Sequence, residues 1–480
     1  MTGPARRSAL DPGPEAAREA IRIVGEAIAR WYEGLGRLHP AGTAHDPATG
    51  GIRTDWRPPL EPEPLPERGE DLEGLVRLVS ERLAPDAGVV GHPGYLAYVA
   101  GAGNLVSVLG QALAMAINPY TGTYATAPAL VRLEDQVVRW FAGIVGYPAD
   151  AGGFLTTGSS LAILSAVIAA RERAAAPWDR ARCYVSDQAH HAVGKALFAA
   201  GFKAANVVVL PSRGLRLDPD LLDDRLRRDR AAGLVPVLAV ATAGSTNAGL
   251  VDPLEDAAAA CAEHGAWLHC DAAYGGFFRL LEEASILRGM ERADSISLDP
   301  HKSLSMPYGT GALLVRRVAD LRFPRDLAAS YMPPVEEGDL RYEYGEIGPE
   351  LSRDFRGLRV WLAIRHLGIA PFRDNLREKW VLARRLAEAI AAIPDLEPVT
   401  APDLTVLTFR TKGDRDGAQT RELLSRLNGG GRFFLTGCRL DGRPAIRACL
   451  LGFRCDAAVV EALIDALRAE SAAVAARIGR

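Results

Sequence analysis

Short apolar segments that alternate with amphipathic helical patterns between residues 91 and 372 constrain the fold of this chain most. Gly, Pro and Asp flank these segments, which occupy residues 206–210, 235–242, 266–270, 295–298 and 312–315. Such segments are typical of strands that are buried on both faces of a mainly parallel sheet. Helical patterns over residues 129–145 and 161–173 supply the layers that would cover it. The pattern predicts a doubly wound α/β domain over residues 91–372.

The flanking regions differ in pattern from this central part. Residues 1–90 contain two amphipathic helical patterns, joined by the proline-rich stretch WRPPLEPEPLPERGEDLE. Two such helices bury little by themselves, so we expect them to pack on the rest of the chain or on a second subunit. Residues 373–480 alternate helices with short strands, which predicts a small α+β domain.

Composition excludes some classes of partner. The chain has 480 residues, 48% of them hydrophobic and 24% charged, and a net charge of −3 without a basic stripe. We therefore expect neither nucleic acid nor a membrane as a partner. Six scattered cysteines favour a reducing compartment, the cytoplasm, and the N-terminal stretch lacks the apolar core of a signal peptide. Their spacing with histidines assembles no four-ligand site, so no metal is expected.

Two predicted strands end in residues with reactive side chains. Lys302 follows the segment 295–298 within DPHKSL, and Asp271 follows the segment 266–270 within WLHCDAAYGG. Ligands of open α/β sheets bind beyond the carboxyl ends of the strands. Burial lowers the pKa of a lysine, and a neutral amine attacks an aldehyde. A carboxylate facing the ring nitrogen of pyridoxal phosphate would keep that nitrogen protonated. Taken singly, each residue also fits an ordinary loop or turn position.

Two further segments complete the predicted site. Gly158, Ser159 and Ser160 precede a helical pattern, and the N-terminus of a helix binds anions such as phosphate. His190, within SDQAHHAV, has an imidazole that could stack on a pyridine ring, although a structural histidine fits nearly as well. The order of phosphate loop, aspartate and lysine is more specific than any one of these features.

These motifs resemble the pyridoxal-phosphate-dependent group II amino-acid decarboxylases. The resemblance extends from HPGYLAYVAG through WLHCDAAYGG and DPHKSL to SRDFRGLRVW, which is nearly the whole chain. It implies the type I aminotransferase-like fold, with a mainly parallel seven-stranded sheet covered by helices on both faces. It also implies a homodimer with active sites at the subunit interface, in which the N-terminal helices lie over the partner.

The resemblance implies a role for each matching residue. Lys302 corresponds to the Schiff-base lysine with His301 beside it, Asp271 to the partner of the ring nitrogen, and Ala273 to a residue against the ring. His190 corresponds to the stacking histidine, and Tyr331, within ASYMPP, to a loop tyrosine that protonates Cα. The remaining residues that correspond to cofactor contacts are Gly158, Ser159, Ser160, Thr242, Thr246 and Asp299.

The implied reaction is the decarboxylation of an L-amino acid to an amine and carbon dioxide. The substrate amine displaces Lys302, and the Cα–carboxylate bond breaks as its electrons flow into the ring. The resemblance favours an aromatic or bulky hydrophobic substrate, and Ser352 mildly favours a phenolic one. The corresponding substrate-pocket residues are His92, Tyr98, Val99, Gly122 and Ser352.

Two alternatives remain open at this point. One is another pyridoxal-phosphate reaction, namely aldehyde synthesis, aminotransfer or carbon–carbon lyase chemistry. The other is a catalytically silent protein that binds the cofactor without turnover. The presence of Lys302, Asp271, His190 and Tyr331 argues against loss of activity, and the tyrosine favours plain decarboxylation over aldehyde synthesis.

Overall fold

A computed structural model describes residues 10–46, 52–57, 59–60, 62–321 and 341–478 of the chain. The N-terminal region contributes two helices joined by irregular chain. The first of them, α1 (Gly13–Gly34), is amphipathic, and the second, α2 (Leu72–Arg77), continues for one wider turn to residue 83. Asp71 begins α2, because its side chain accepts the backbone N–H of Gly74 at 2.7 Å.

The central region consists of alternating helices and strands. Its helices are α3 (Leu105–Ile117), α4 (Pro128–Val145), α5 (Ser159–Ala174), α6 (His191–Ala199), α7 (Pro219–Ala231), α8 (Leu254–His264), α9 (Pro300–Ser303), α10 (Tyr344–Ile347) and α11 (Gly357–Leu367). Its strands are β1 (Gly152–Thr156), β2 (Ala181–Ser186), β3 (Val207–Leu210), β4 (Val235–Thr242), β5 (Trp267–Asp271), β6 (Ser295–Leu298) and β7 (Gly311–Val315).

The seven strands form one sheet in the order β1-β7-β6-β5-β4-β2-β3. Strand β7 runs antiparallel to its neighbours β1 and β6, and the other four pairs are parallel. The sheet is mainly parallel, as predicted. The parallel strands are joined by crossover connections. Because β4, β5 and β6 are parallel, their carboxyl ends meet at one edge of the sheet.

Helices cover both faces of this sheet, as predicted. Leu268 and Cys270 of β5 belong to a buried cluster with α4, α7, α8 and α11. Trp267 of the same strand belongs to a second cluster with α5 and α6. Because side chains alternate along a strand, Asp271 shares the face of Trp267 and is directed towards the α5 side of the sheet.

The C-terminal region forms a second, smaller layer. Its helices are α12 (Ala370–Ala392), α13 (Ala418–Gly429) and α14 (Ala457–Ile478), and its strands are β8 (Leu396–Thr400), β9 (Val406–Thr411), β10 (Thr436–Leu440) and β11 (Arg443–Cys449). The four strands form an antiparallel sheet in the order β10-β11-β9-β8. The predicted boundary at residue 372 falls inside the first turn of α12, so a continuous helix crosses it.

The segment after residue 91 joins this smaller sheet. The backbone N–H of Leu96 donates to the carbonyl of Phe434, and the N–H of Cys449 donates to the carbonyl of Leu96. Leu96 is fully buried in the core of the C-terminal region. Among the described residues, no helix has the length and hydropathy needed to cross a membrane.

Candidate active site

A cavity of about 370 Å³ lies at the edge of the sheet where β4, β5 and β6 end. Of the predicted cofactor and catalytic residues, all eleven that the structure describes line it. The twelfth, Tyr331, lies outside the described residues. The predicted residues in its wall are Val99, Gly158, Ser159, Ser160, His190, Thr242, Thr246, Asp271, Ala273, Asp299, His301 and Lys302.

Asp271 ends β5 with its carboxylate held from two sides. Its Oδ1 accepts the backbone N–H of Ala273 at 3.2 Å and the hydroxyl of Ser297 at 3.3 Å. Ser297 belongs to the neighbouring strand β6, where it pairs in register with Asp271. Asp271 is 5% exposed, so a cationic or N–H partner in the cavity would meet a desolvated carboxylate.

Lys302 lies in the short helix α9, one turn after Asp299. Its Nζ is 2.9 Å from Asp299 Oδ2, and the other oxygen of Asp299 accepts the backbone N–H of Ser159 at 2.8 Å. Burial lowers the pKa of Lys302, but the Asp299 and Asp271 carboxylates together raise it above its ordinary value. The lowering of the lysine pKa by burial is present as expected, but the neighbouring carboxylates outweigh it.

The two histidines of the cavity have defined hydrogen bonds. His190 precedes α6, and its Nδ1 accepts the backbone N–H of Ala192 at 3.3 Å, which leaves the hydrogen of the neutral ring on Nε2. Burial is the main cause that lowers its pKa. The Nδ1 of His301 donates to the carbonyl of Thr310 at 2.7 Å, and burial lowers the pKa of this ring as well. Both rings are therefore neutral at neutral pH.

Four of the predicted substrate-binding residues lie away from the wall of this cavity. His92 uses its Nδ1 to accept the N–H of Gly94 and lines a separate hollow with Gly36. Tyr98 packs edge-on against Phe434, with ring centroids 6.4 Å apart. Gly122 packs against Tyr120 and the backbone of Leu351, and Ser352 is exposed. Their role in substrate binding stays a prediction.

Similarity to known proteins identifies the family to which this chain belongs. The family model described as "Pyridoxal-dependent decarboxylase conserved domain" matches residues 55–412. An aromatic-L-amino-acid decarboxylase from Bacillus atrophaeus is 32% identical over 404 residues, which are 82% of this chain and 84% of that protein. The chain belongs to the pyridoxal-dependent decarboxylase family. It is a carboxy-lyase, and its cofactor is pyridoxal phosphate.

Two other comparisons extend the range of relatives. A 4-hydroxyphenylacetaldehyde synthase from Rhodiola rosea is 28% identical over 82% of this chain and 83% of that protein. The crystal structure of TDC from Oryza sativa with PLP and tryptamine has a TM-score of 0.85. It covers 97% of this chain and 99% of that one at 23% identity, which shows that the fold is the same.

The residues of the cavity fit the cofactor of the family. The hydroxyl of Ser159 is buried and, among the described residues, has no hydrogen-bond partner, so it is free to bind a phosphate oxygen. It lies in the first turn of α5, where backbone N–H groups favour an anion. Asp271 and Ala273 line the same cavity, where the carboxylate would face the ring nitrogen and the small side chain would leave space for a flat ring.

Several residues of the site were not predicted from the sequence. Tyr274 and Gly244 line the cavity together, and an added Cβ at Gly244, whose φ is +101°, would lie 2.5 Å from the ring of Tyr274. Gly244 within the motif ATAGST is the sequence feature from which this close packing could have been predicted. Outside the cavity, Asp252 accepts the backbone N–H groups of Thr242 and Leu217.

One cluster outside the cavity has ligand-type side chains. His264 Nε2 is 2.9 Å from Asp223 Oδ1, and Glu263 brings a third potential ligand atom within 4.8 Å of both. Glu263 is exposed, and a hydrogen bond accounts for the contact between His264 and Asp223. The absence of a functional metal stays a prediction.

Proposed function

We propose that this enzyme converts an aromatic or bulky hydrophobic L-amino acid to the corresponding amine and carbon dioxide. The observation that carries the proposal is the single cavity shared by Lys302, Asp271, His190 and the N-terminus of α5. When bound there, pyridoxal phosphate supplies an electron sink for a bond that breaks at Cα. The similarity to an aromatic-L-amino-acid decarboxylase supports an aromatic substrate.

We assign each side chain of the cavity a separate role in this reaction. Lys302 would supply the amine that holds the cofactor in the cavity. Asp271 holds a proton at the ring nitrogen, and its burial strengthens that interaction. His190 lines the cavity, and its neutral ring carries the hydrogen on Nε2, which can donate to a bound group. We assign the return of a proton to Cα to Tyr331, by its position in the family motif.

Aldehyde synthesis is the second candidate, because a 4-hydroxyphenylacetaldehyde synthase is among the relatives. The tyrosine at position 331 separates the two candidates. We expect Tyr331→Phe to divert product from amine to aldehyde, because Cα would lack its proton donor. Amine and aldehyde are quantified by chromatography after single incubations with the wild-type and variant holoenzymes. An unchanged amine yield would contradict the role assigned to Tyr331.

The proposal includes a homodimer, for which the exposed apolar surface of α3 is the main support. Leu109 and Leu113 are one turn apart on this helix, and they are 51% and 49% exposed. An apolar groove between α1 and α2 lies next to Val108 of the same helix. Contiguous apolar surface of this kind marks subunit interfaces.

A panel of amino acids tests the proposed reaction. The holoenzyme is incubated with L-tyrosine, L-tryptophan, L-phenylalanine, L-histidine, L-glutamate and L-leucine, and carbon dioxide, amine, aldehyde and ammonia are measured. We expect equal amounts of carbon dioxide and amine, with the aromatic substrates turned over fastest. A preference for L-glutamate would contradict the substrate class. Ammonia or a keto acid without carbon dioxide would contradict the reaction. If the protein binds the cofactor but turns over none of these amino acids, the result would support a catalytically silent protein.

A further inference from the structure

We propose that Asp299 holds Lys302 as an ammonium ion until an anion replaces Asp299 as the hydrogen-bond acceptor of the Ser159 backbone N–H. The cofactor phosphate is this anion, and its binding converts Lys302 to the reactive neutral amine. The two oxygens of Asp299 have different partners. Oδ1 accepts the N–H of Ser159 at 2.8 Å, and Oδ2 is 2.9 Å from Lys302 Nζ. One carboxylate thus joins the phosphate-binding turn to the reactive amine.

The N–H of Ser159 is the group for which carboxylate and phosphate compete. Ser159 begins the 16-residue helix α5, whose first N–H groups favour an anion. The Ser159 hydroxyl, in a residue that is 7% exposed, has no hydrogen-bond partner within the described part of the chain. The backbone N–H and the buried hydroxyl of Ser159 therefore lie close together, and the Asp299 carboxylate is the anion that contacts this N–H. A phosphate bound there would lie next to that carboxylate.

The ion pair creates a difficulty for cofactor attachment. Although burial lowers the pKa of Lys302, the carboxylates of Asp299 and Asp271 raise it overall. An ammonium has no lone pair with which to attack an aldehyde. The charged or titratable groups that influence Lys302 are Asp299, Asp271, Tyr308, His190, His301 and Cys449. Of these, Asp299 alone accepts a hydrogen bond from the N-terminus of α5 in the described residues.

Arrival of phosphate resolves this difficulty by electrostatics. A second anion beside Asp299 disfavours the charged carboxylate, so a proton moves from Lys302 Nζ to Asp299 Oδ2. The neutral amine then forms a C–N bond with the aldehyde carbon. The aldehyde oxygen leaves as water with the two remaining amine hydrogens, and no oxidant or reductant is needed. Asp299 is a positioning residue in this account, because it acts through Lys302.

Pyridoxal, which lacks the phosphate group, separates the anion from the aldehyde. Cofactor-free protein is mixed with pyridoxal in chloride, sulfate or inorganic phosphate at equal ionic strength. The imine is trapped with borohydride, and pyridoxyl-Lys302 is quantified by mass spectrometry as a function of time and pH. We expect sulfate and phosphate to accelerate modification of the wild type at pH 7 by on the order of tenfold, the change produced by one pKa unit. The midpoint of the pH profile should move to lower pH.

Asp299→Asn should remove this coupling, because the amide is neutral and nearly isosteric. The variant should react quickly in chloride, and neither anion should change its rate or its pH midpoint. Asp294→Asn is the matched control. Asp294 lies at the other end of β6, where it accepts the N–H of Leu268 and pairs with Arg173, so the anion effect should persist.

Two results would overturn the proposal. One is an equal rate in chloride, sulfate and phosphate for the wild type, which needs no variant and is independent of folding. The other is the same acceleration by both anions in Asp299→Asn. Because the readout is attachment of pyridoxal, it does not depend on the proposed substrate or reaction.

Discussion

Asp271 and Lys302 approach the cavity from adjacent strands with opposite charges. Asp271 ends β5, and Lys302 follows β6, which pairs with β5 in parallel. The hydroxyl of Ser297 and the N–H of Ala273 hold the Asp271 carboxylate in its orientation. At the scale of single residues, the chemistry therefore depends on one carboxylate held by hydrogen bonds and one amine that line the same cavity.

Asp271→Asn tests the role of this carboxylate. The amide retains the shape of the side chain but cannot keep a ring nitrogen protonated. We expect kcat to fall on the order of a hundredfold or more, the loss that follows removal of one preorganised electrostatic partner. Steady-state kinetics at saturating cofactor measure this change, and circular dichroism checks folding. A variant with unchanged kcat would exclude the carboxylate from the reaction.

Gly101→Ala tests how closely the backbone packs behind the lysine. An added Cβ at residue 101 would overlap the carbonyl oxygens of both His301 and Lys302, and backbone atoms cannot rotate away. We expect a weaker affinity for the cofactor by about tenfold, equal to about 1.4 kcal/mol. Absorbance titration with pyridoxal phosphate measures it. Gly143→Ala in α4 is the control, since nothing lies within 4 Å of its added Cβ. Equal affinities in the two variants would contradict this packing argument.

At the scale of elements, the strands that were predicted correctly are those with a short apolar segment that no glycine pair or charged residue interrupts, whether buried like β4 and β6 or partly exposed like β3. The bounds of β4 and β6 were predicted to the residue, because each is an uninterrupted apolar or small-residue segment. Strands β1 and β2 were missed, since Gly152 and Gly153 open the first and Arg182 interrupts the second. An added Cβ at Gly153 would overlap the carbonyl of Leu313. The pairing of β1 with β7 thus requires a residue that weakens the strand pattern.

The part of the site that the sequence predicted consists of residues that lie at the ends of strands. Lys302 and Asp271 each come directly after an apolar segment, so topology alone brings them to one edge. The contact of Asp299 with Ser159 joins residues that are 140 positions apart, and no spacing rule predicts it. The positions of His92 and Tyr98 depend on packing against the C-terminal region, which the local pattern does not encode.

Asp252 connects the end of β4 to the chain before α7, and its titration is testable. Burial raises the pKa of Asp252 from 3.8 to about 6. The folded protein therefore favours the protonated form, a contribution that is fully present below pH 3.8 and lost as the pH rises through 6. Asp252→Asn imitates the protonated form at every pH.

We therefore expect the stability of the wild type relative to Asp252→Asn to decrease between pH 4 and pH 6. The decrease should be at most about 3 kcal/mol, from roughly two pKa units at 1.36 kcal/mol each. Urea unfolding of both proteins at several pH values measures the difference. Parallel pH dependences for the two proteins would show that Asp252 does not titrate in this range.

At the scale of the whole molecule, the N-terminal helices and α3 expose apolar surface that the single chain leaves uncovered. Within the described residues, α1 presents Ile21, which is 72% exposed, and α2 is followed by Val79, which is 55% exposed. The described residues predicted to contact the cofactor line one cavity of the single chain, whereas predicted substrate residues such as Gly122 and Ser352 lie outside its wall. The proposed second subunit would cover these helices.

Leu109→Asp combined with Leu113→Asp tests the proposed dimer. Burial of a leucine contributes about 1.5–3 kcal/mol, so the pair should weaken association by at least about a hundredfold. Light scattering coupled to size exclusion measures the mass at several protein concentrations. Phe198→Asp on α6 is the control, because Phe198 is exposed on a different helix. A wild type that is monomeric at all concentrations would contradict the dimer.

Attachment of the cofactor to Lys302 is the claim on which the rest of the account depends. The chain has five lysines, at positions 195, 203, 302, 379 and 412, so the modified one can be identified without ambiguity. The holoenzyme is reduced with borohydride, digested and examined by peptide mass spectrometry. We predict one pyridoxyl group per chain, on Lys302, and none in Lys302→Ala. A pyridoxyl group on any other lysine, or no fixed cofactor on the wild type, would contradict the account.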